Sequence, residues 1–258
     1  MRKRSGRVGR LIPLGIALVL AAAHAPAAES KVKTLMAGLS YDYFSRTVVW
    51  DGDTGSSRLQ ASLVSARTDL GFGRGLTLSL SAGLSLTDFE GLAFGTLPIS
   101  LAYDASPIKG LVLGAELEAP LLKSGDFEIK AAGRFVSSFG MSKTWPLEGF
   151  SVEGEAKGRS SWMEASAGPR VACLFFGAFV PYLEVSARWL RADFRMDETL
   201  EDLQGRETKR IKGDFSVSVA LGGDARVSDR LTIKAKAGFI PYAGGVDALA
   251  SVGLLYLF

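Results

Sequence analysis

The sequence predicts an all-β fold: an antiparallel, up-and-down transmembrane β-barrel of twelve strands, with ten as the alternative count, short turns on one side and longer loops on the other. Three observations carry this. Apolar and polar residues alternate with a period of two from residue 35 to the C-terminus, and no helical period competes. The charges within these runs fall on the face opposite the leucines, mixed with Gly and Ser. The connections alternate in length along the chain.

Residues 1 to 27 are expected to be a secretory signal peptide. Arg2, Lys3, Arg4, Arg7 and Arg10 form a basic leader, "LIPLGIALVLAAA" an apolar stretch too short to span a bilayer, and "AHAPAAES" offers small-residue cleavage sites after Ala27 or Ala25. The barrel then occupies 28 to 258. Removing the leader leaves 25 Lys and Arg against 27 Asp and Glu, a net charge near −2, so the basic whole-chain balance implies no nucleic-acid partner. It also removes His24, the only histidine, and the chain has no Asn. The single cysteine, Cys173, excludes an internal disulfide.

The strands follow in order. Leu35 to Tyr43 and Val64 to Phe72 come first. "LTLSLSAGLSLT" (76 to 87) then sets Leu76, Leu78, Leu80, Leu84 and Leu86 against Ser, Thr and Gly without a charge. Leu97 to Tyr103, Leu111 to Glu118 and Phe127 to Phe135 continue the pattern, followed by Met163 to Phe175, Phe179 to Trp189 and Phe215 to Arg226, then Leu231 to Phe239 and Ala248 to Phe258. Eleven strands break the even count that a chain beginning and ending on one side needs, so a weak twelfth is expected at 144 to 153. Pro169 removes a ladder donor and asks for a bulge or a later strand start. Short turns are expected at 73–75, 106–110, 176–178 and 228–230, and longer loops at 45–58, 88–96, 120–126, 195–213 and 243–247.

A soluble sandwich would bury the leucines, whereas a membrane barrel turns them to lipid. Outward aromatics gather at strand ends, with Tyr41, Tyr43, Trp189, Phe215 and Phe239 toward the loops and Phe72, Tyr103, Phe175, Phe179 and Phe258 toward the turns, as interfacial girdles do. The ending "ALASVGLLYLF", with outward Leu254 and Tyr256 and terminal Phe258, resembles the closing strand of Gram-negative outer-membrane β-barrel proteins. That resemblance implies an outer-membrane location, contact with outer-membrane lipid and lipopolysaccharide, and Leu254, Tyr256 and Phe258 as a signal read by the barrel-assembly machinery. It points to the general class and to no particular family, and it leaves the oligomeric state open.

Without histidine the familiar barrel hydrolases lose their base, so no enzymatic activity is expected. No cofactor or metal is implied. "DGDTG" (51 to 55) opens like a calcium loop but has Ser62 where the bidentate Glu is needed, and "GFGRG" leads into a strand, not a helix. By parity the inward charges are Asp42, Asp69, Glu116, Glu118, Glu128, Glu164, Glu184 and Asp224 against Arg67, Lys130, Arg134, Arg170, Arg188, Arg226, Lys234 and Lys236. Eight face eight, which fits a narrow, weakly selective diffusion channel for small hydrophilic solutes; the alternative is a salt-bridged, plugged barrel serving structure or surface interaction. In "RMDETLEDLQGRETKRIKG" (195 to 213), Arg206, Lys209, Arg210 and Lys212 are candidates for lipopolysaccharide phosphates.

Overall fold

The computed structural model describes residues 32–51, 55–97, 101–102, 107–147 and 154–258. The expected leader and positions 52–54 of the "DGDTG" stretch lie outside the described residues. Ten long strands follow the alternating segments: β1 (Thr34–Val49), β2 (Ser56–Gly71), β3 (Thr77–Glu90), β4 (Ile108–Ser124), β5 (Phe127–Gly140), β6 (Gly154–Cys173), β7 (Phe179–Leu200), β8 (Leu203–Arg226), β9 (Leu231–Tyr242) and β10 (Gly245–Leu257). Each pairs antiparallel with the next, and β10 returns to β1 from Met36↔Leu257 to Phe44↔Leu249. The ring therefore closes with ten strands, the lower of the two counts.

Two expected strands are not staves of the ring. Leu101–Ala102 pairs only with Ala93–Phe94, a tiny hairpin within the β3–β4 connection; Ile99 and Tyr103 of the expected strand lie outside the described residues. Lys143–Pro146 extends the sheet beyond the end of β5, pairing with β6 from Lys143↔Gly158 to Pro146↔Glu155. Pro146, which has no N–H to donate, sits at the end of this short run. Losing both strands preserves parity at the termini but reverses the segment between them. The Gly125–Asp126 connection is a tight turn on the side of the termini, not the tip of a loop at 120–126; of the expected turn at 106–110, residues 108–110 already form the loop-side start of β4 and 106 lies outside the described residues.

The expected loop at 195–213 is also strand. β7 and β8 stay paired up to Leu200↔Leu203, so only Glu201 and Asp202 turn. The density of charge there suggested a loop, yet the alternation of Phe194 and Met196 with Arg195 and Asp197 continues through it. Pro169 needs neither a bulge nor a late start. β6 pairs through it with Ala131, and on the β7 side the register of Arg170↔Glu184 resumes unchanged at Ala167↔Ala187. One missing donor interrupts a rung without shifting the strand.

The leucine face points outward. Leu80, Leu84, Leu113 and Leu221 are 47%, 60%, 55% and 68% exposed, while Ser79 and Ser85 on the opposite face are buried. Phe135, Ala165, Trp189 and Phe215 align across four strands as one outward row toward the loops. Phe127, Phe175, Phe179, Tyr256 and Phe258 lie outward toward the turns. Between such rows a strand needs about 9 to 11 residues to cross a bilayer. β7 has 22 residues and β8 has 24, so roughly half of each projects beyond the loop-side row. Placing a charge in the apolar band tests this arrangement: Leu84→Arg is expected to cost about 2 to 4 kcal/mol near the midplane. Ser81→Ala on the inner face is expected to stay within about 1 kcal/mol. Equilibrium unfolding from lipid vesicles measures both.

Candidate functional site

The interior has two storeys. On the turn side the inward charges meet across the lumen. Lys236 pairs with Glu184 at 3.3 Å, Glu184 with Arg170 at 2.6 Å, Arg170 with Glu116 at 3.3 Å, Glu116 with Arg67 at 3.1 Å, Arg67 with Asp69 at 2.7 Å, and Asp69 with Lys234 at 2.7 Å. Lys234 and Lys236 both stand on β9, so the chain of alternating charges passes through β7, β6, β4 and β2 and returns to the strand it left. Glu118 joins it through Arg170 and through Lys130 at 3.9 Å, and Glu128 through Lys130 at 3.3 Å. The Arg170 guanidinium also lies 4.4 Å from the Tyr182 ring. Arg134 pairs with Asp42 at 2.9 Å and Arg188 with Glu164.

In the ten ring strands the structure places fifteen of the sixteen charges expected in the lumen on the inner face. Asp224 stands beside Lys234 in the β8–β9 register. Arg226 is the exception; it closes β8 at the turn and is exposed to solvent. Among the inward groups that escaped the sequence reading are Arg46 and Asp247. Arg46, only 2% exposed, reaches Asp214 at 2.6 Å and Glu164 at 3.8 Å, joining β1 to β8 and β6. Asp247 accepts from the Thr47 backbone N–H at 2.6 Å and its hydroxyl at 3.0 Å. Their even and odd numbers continue the inward series of Asp42 and Leu249, but both lay in stretches taken for loops.

The loop-side storey is apolar. Phe44 and Trp162 meet edge to face at 4.9 Å, Phe89 and Phe194 at 4.9 Å, and Phe94 lies 5.3 Å from Phe194. Leu59, Leu92, Ile108, Leu190, Met196 and Ile240 are fully buried around them. Leu92, Phe94 and Leu97 come from the β3–β4 connection, whose residues 91–97 therefore fold into the mouth instead of standing above it. The polar tips of the large rings are satisfied: Trp162 donates to Thr87 at 3.0 Å and Trp50 to Ser57 at 2.7 Å. Cavities of about 20 and 10 Å³ sit against the charged groups, each with room for about one water.

Glu207 holds the inserted connection from above. Its carboxylate accepts the Thr96 backbone N–H at 2.8 Å and pairs with Lys209 at 3.2 Å. Burial pushes the Glu207 carboxyl up, but these partners outweigh it and hold the group below the ordinary carboxylate range. A depressed carboxylate stabilises above its unfolded value, and the contribution is lost as pH falls through the lower, folded one. The protection of the Thr96 amide, the factor by which it exchanges more slowly than an unstructured amide at the same pH, is therefore expected to fall in acid, below about pH 4. Glu207→Gln should flatten that dependence, as read by hydrogen exchange of the refolded protein.

The outward face of the projecting strands is ionic. Asp193 lies between Arg191 at 3.8 Å and Arg210 at 3.2 Å, and Asp197 between Arg195 at 3.0 Å and Arg206. Burial slightly opposes ionisation of Asp197, but the Arg206 and Arg195 hydrogen bonds prevail and lower its pKa.

Comparison with solved structures agrees with this architecture. The outer membrane protease OmpT of Escherichia coli aligns with a TM-score of 0.51 at 11% identity, over 90% of this chain and 98% of that one. The translocator domain of the autotransporter NalP from Neisseria meningitidis aligns with a TM-score of 0.50 at 11% identity, over 96% of each chain. No family model matches the chain, and no curated protein matches it in sequence. The chain has the fold of an outer-membrane β-barrel.

Proposed function

We propose that this chain is a non-enzymatic, plugged β-barrel of the Gram-negative outer membrane, with a structural wall and a projecting rim that meets envelope or surface partners. The observation that carries the reading is the doubly filled lumen. A solute passing through would have to displace the apolar cluster around Phe194 and then separate a chain of ion pairs that crosses the lumen, each step exposing buried groups at a cost of several kcal/mol. This favours the plugged reading over the diffusion channel, whose neutral lumen charges are here engaged with one another. Supporting a non-enzymatic role, the lone histidine is in the expected leader, and the lumen carboxylates of the ion-pair chain are bound to cations.

Leu254, Tyr256 and Phe258 stand outward on the closing strand, 50%, 40% and 76% exposed, where assembly machinery would reach them before lipid does. Planar-bilayer recording tests the main reading. The refolded protein is expected to give no discrete conductance steps in molar salt; regular single-channel steps would restore the diffusion channel.

A further inference from the structure

We propose that the outward face of the β6–β7–β8 rim binds a phosphorylated glycolipid of the outer leaflet, whose phosphates sit among the arginines directly above the aromatic row. This deepens the proposed outer-membrane role and rests on it. Arg191 follows Trp189 by two residues and is thus the next outward side chain past the row on β7. Beyond it Arg195 stands directly opposite Arg159 of β6 on the same face. Arg159 donates to the Gly140 carbonyl at 3.2 Å and Arg195 pairs with Asp197, yet the two like charges still face each other across the ladder, a cost that a bound anion would offset.

The neighbouring carboxylates do not neutralise the patch. Asp193 is shared by two arginines and Asp197 by two more, and Lys157 stands opposite Asp197 in the β6–β7 register. Arg191, Arg195, Arg206 and Arg210 have side chains 53%, 46%, 64% and 58% exposed, so their ion pairs add little to stability and their forks remain accessible. A guanidinium fork matches a phosphate in geometry as well as charge. Of the four cations expected from the sequence, Arg206 and Arg210 belong to this face; Lys209 turns inward to Glu207, and the Lys212 side chain lies outside the described residues.

The height of the patch selects the ligand class. From Arg191 to the level of Asp197 is six residues, about 20 Å of strand, and roughly 14 Å of height at a 45° tilt. A glycerophospholipid presents phosphate in a single layer. A lipopolysaccharide phosphorylated both on its membrane-anchored sugars and on its core presents anions over such a span.

The test uses the refolded protein in phosphatidylcholine vesicles with added core-phosphorylated lipopolysaccharide, its dephosphorylated form, or phosphatidylglycerol at equal charge. Phosphorylated lipopolysaccharide is expected to raise the unfolding midpoint, with half-saturation at least tenfold below that of either comparison lipid. Arg159→Gln/Arg195→Gln should lose that difference while remaining at least as stable as the parent in phosphatidylcholine alone. Arg159→Glu, which turns the like pair into an opposite one, should be more stable in phosphatidylcholine and still bind more weakly. Equal responses to lipopolysaccharide and phosphatidylglycerol, or unchanged binding in both variants, would overturn the proposal. Failure of the parent to insert into any vesicle would instead bring down the membrane reading on which it rests.

Discussion

Arg170→Ala is expected to destabilise the folded barrel by about 3 to 5 kcal/mol, the usual cost of removing one partner from a buried ionic cluster. Arg170 is only 5% exposed and touches Glu116 and Glu118 of β4 and Glu184 of β7, with Tyr182 beneath its guanidinium. Its loss leaves three carboxylates gathered in a site that water reaches poorly, with Arg67, Lys130 and Lys236 compensating only in part. Arg170→Lys should recover a fraction of the loss, because a point charge cannot bridge three acceptors as a planar fork does. Arg226→Ala, at the exposed turn, should stay within about 0.5 kcal/mol. Denaturant unfolding in detergent or vesicles measures all three, and a loss under 1 kcal/mol for Arg170→Ala would show that the chain of ion pairs is not a fastening of the lumen.

Phe194→Ala is expected to cost a similar 3 to 5 kcal/mol through lost burial and the cavity left behind. Phe194 is 0% exposed, and it is the ring against which both Phe89 of β3 and Phe94 of the inserted connection pack. The variant should also free the connection, so protease cleavage within 91–97 should accelerate well beyond that of the parent at a denaturant-free condition where both remain folded. Unchanged cleavage, together with a stability loss under 1 kcal/mol, would mean that the apolar storey is not what seats this segment. Leu→Ala changes on the lipid face, such as Leu84→Ala, leave no such internal cavity and serve as the comparison.

Most of the wall was legible in the sequence. The inward positions of Asp69, Glu116, Arg170, Glu184 and Lys236 follow from period two alone, because a pleated strand sends successive side chains to opposite faces whatever its direction. That is why the inward assignments in β4 and β5 survived although the strand count had reversed the segment. Charge density was the misleading signal. It made loops of 45–58 and 195–213, and so hid Arg46 as a lumen group and β7–β8 as a tall hairpin. In a membrane barrel the part of a strand beyond the lipid sheds its need for an apolar face, so it reads like loop while keeping its ladder.

Other features needed the closed ring. Asp69 and Lys234 are 165 residues apart in sequence and meet only because β10 pairs back to β1. The insertion of Leu92, Phe94 and Leu97 into the mouth could not be read locally, because Leu92 and Phe94 lie in a stretch taken for a loop and the alternation from Leu97 reads as a lipid-facing strand. The sequence by itself determined which face of each strand meets lipid, since side-chain direction is a local property of extended backbone. Only the tertiary structure decided that ten strands close the ring and that the space inside is filled, because barrel width, and hence which opposite charges and rings come within reach, depends on how many strands share the circumference.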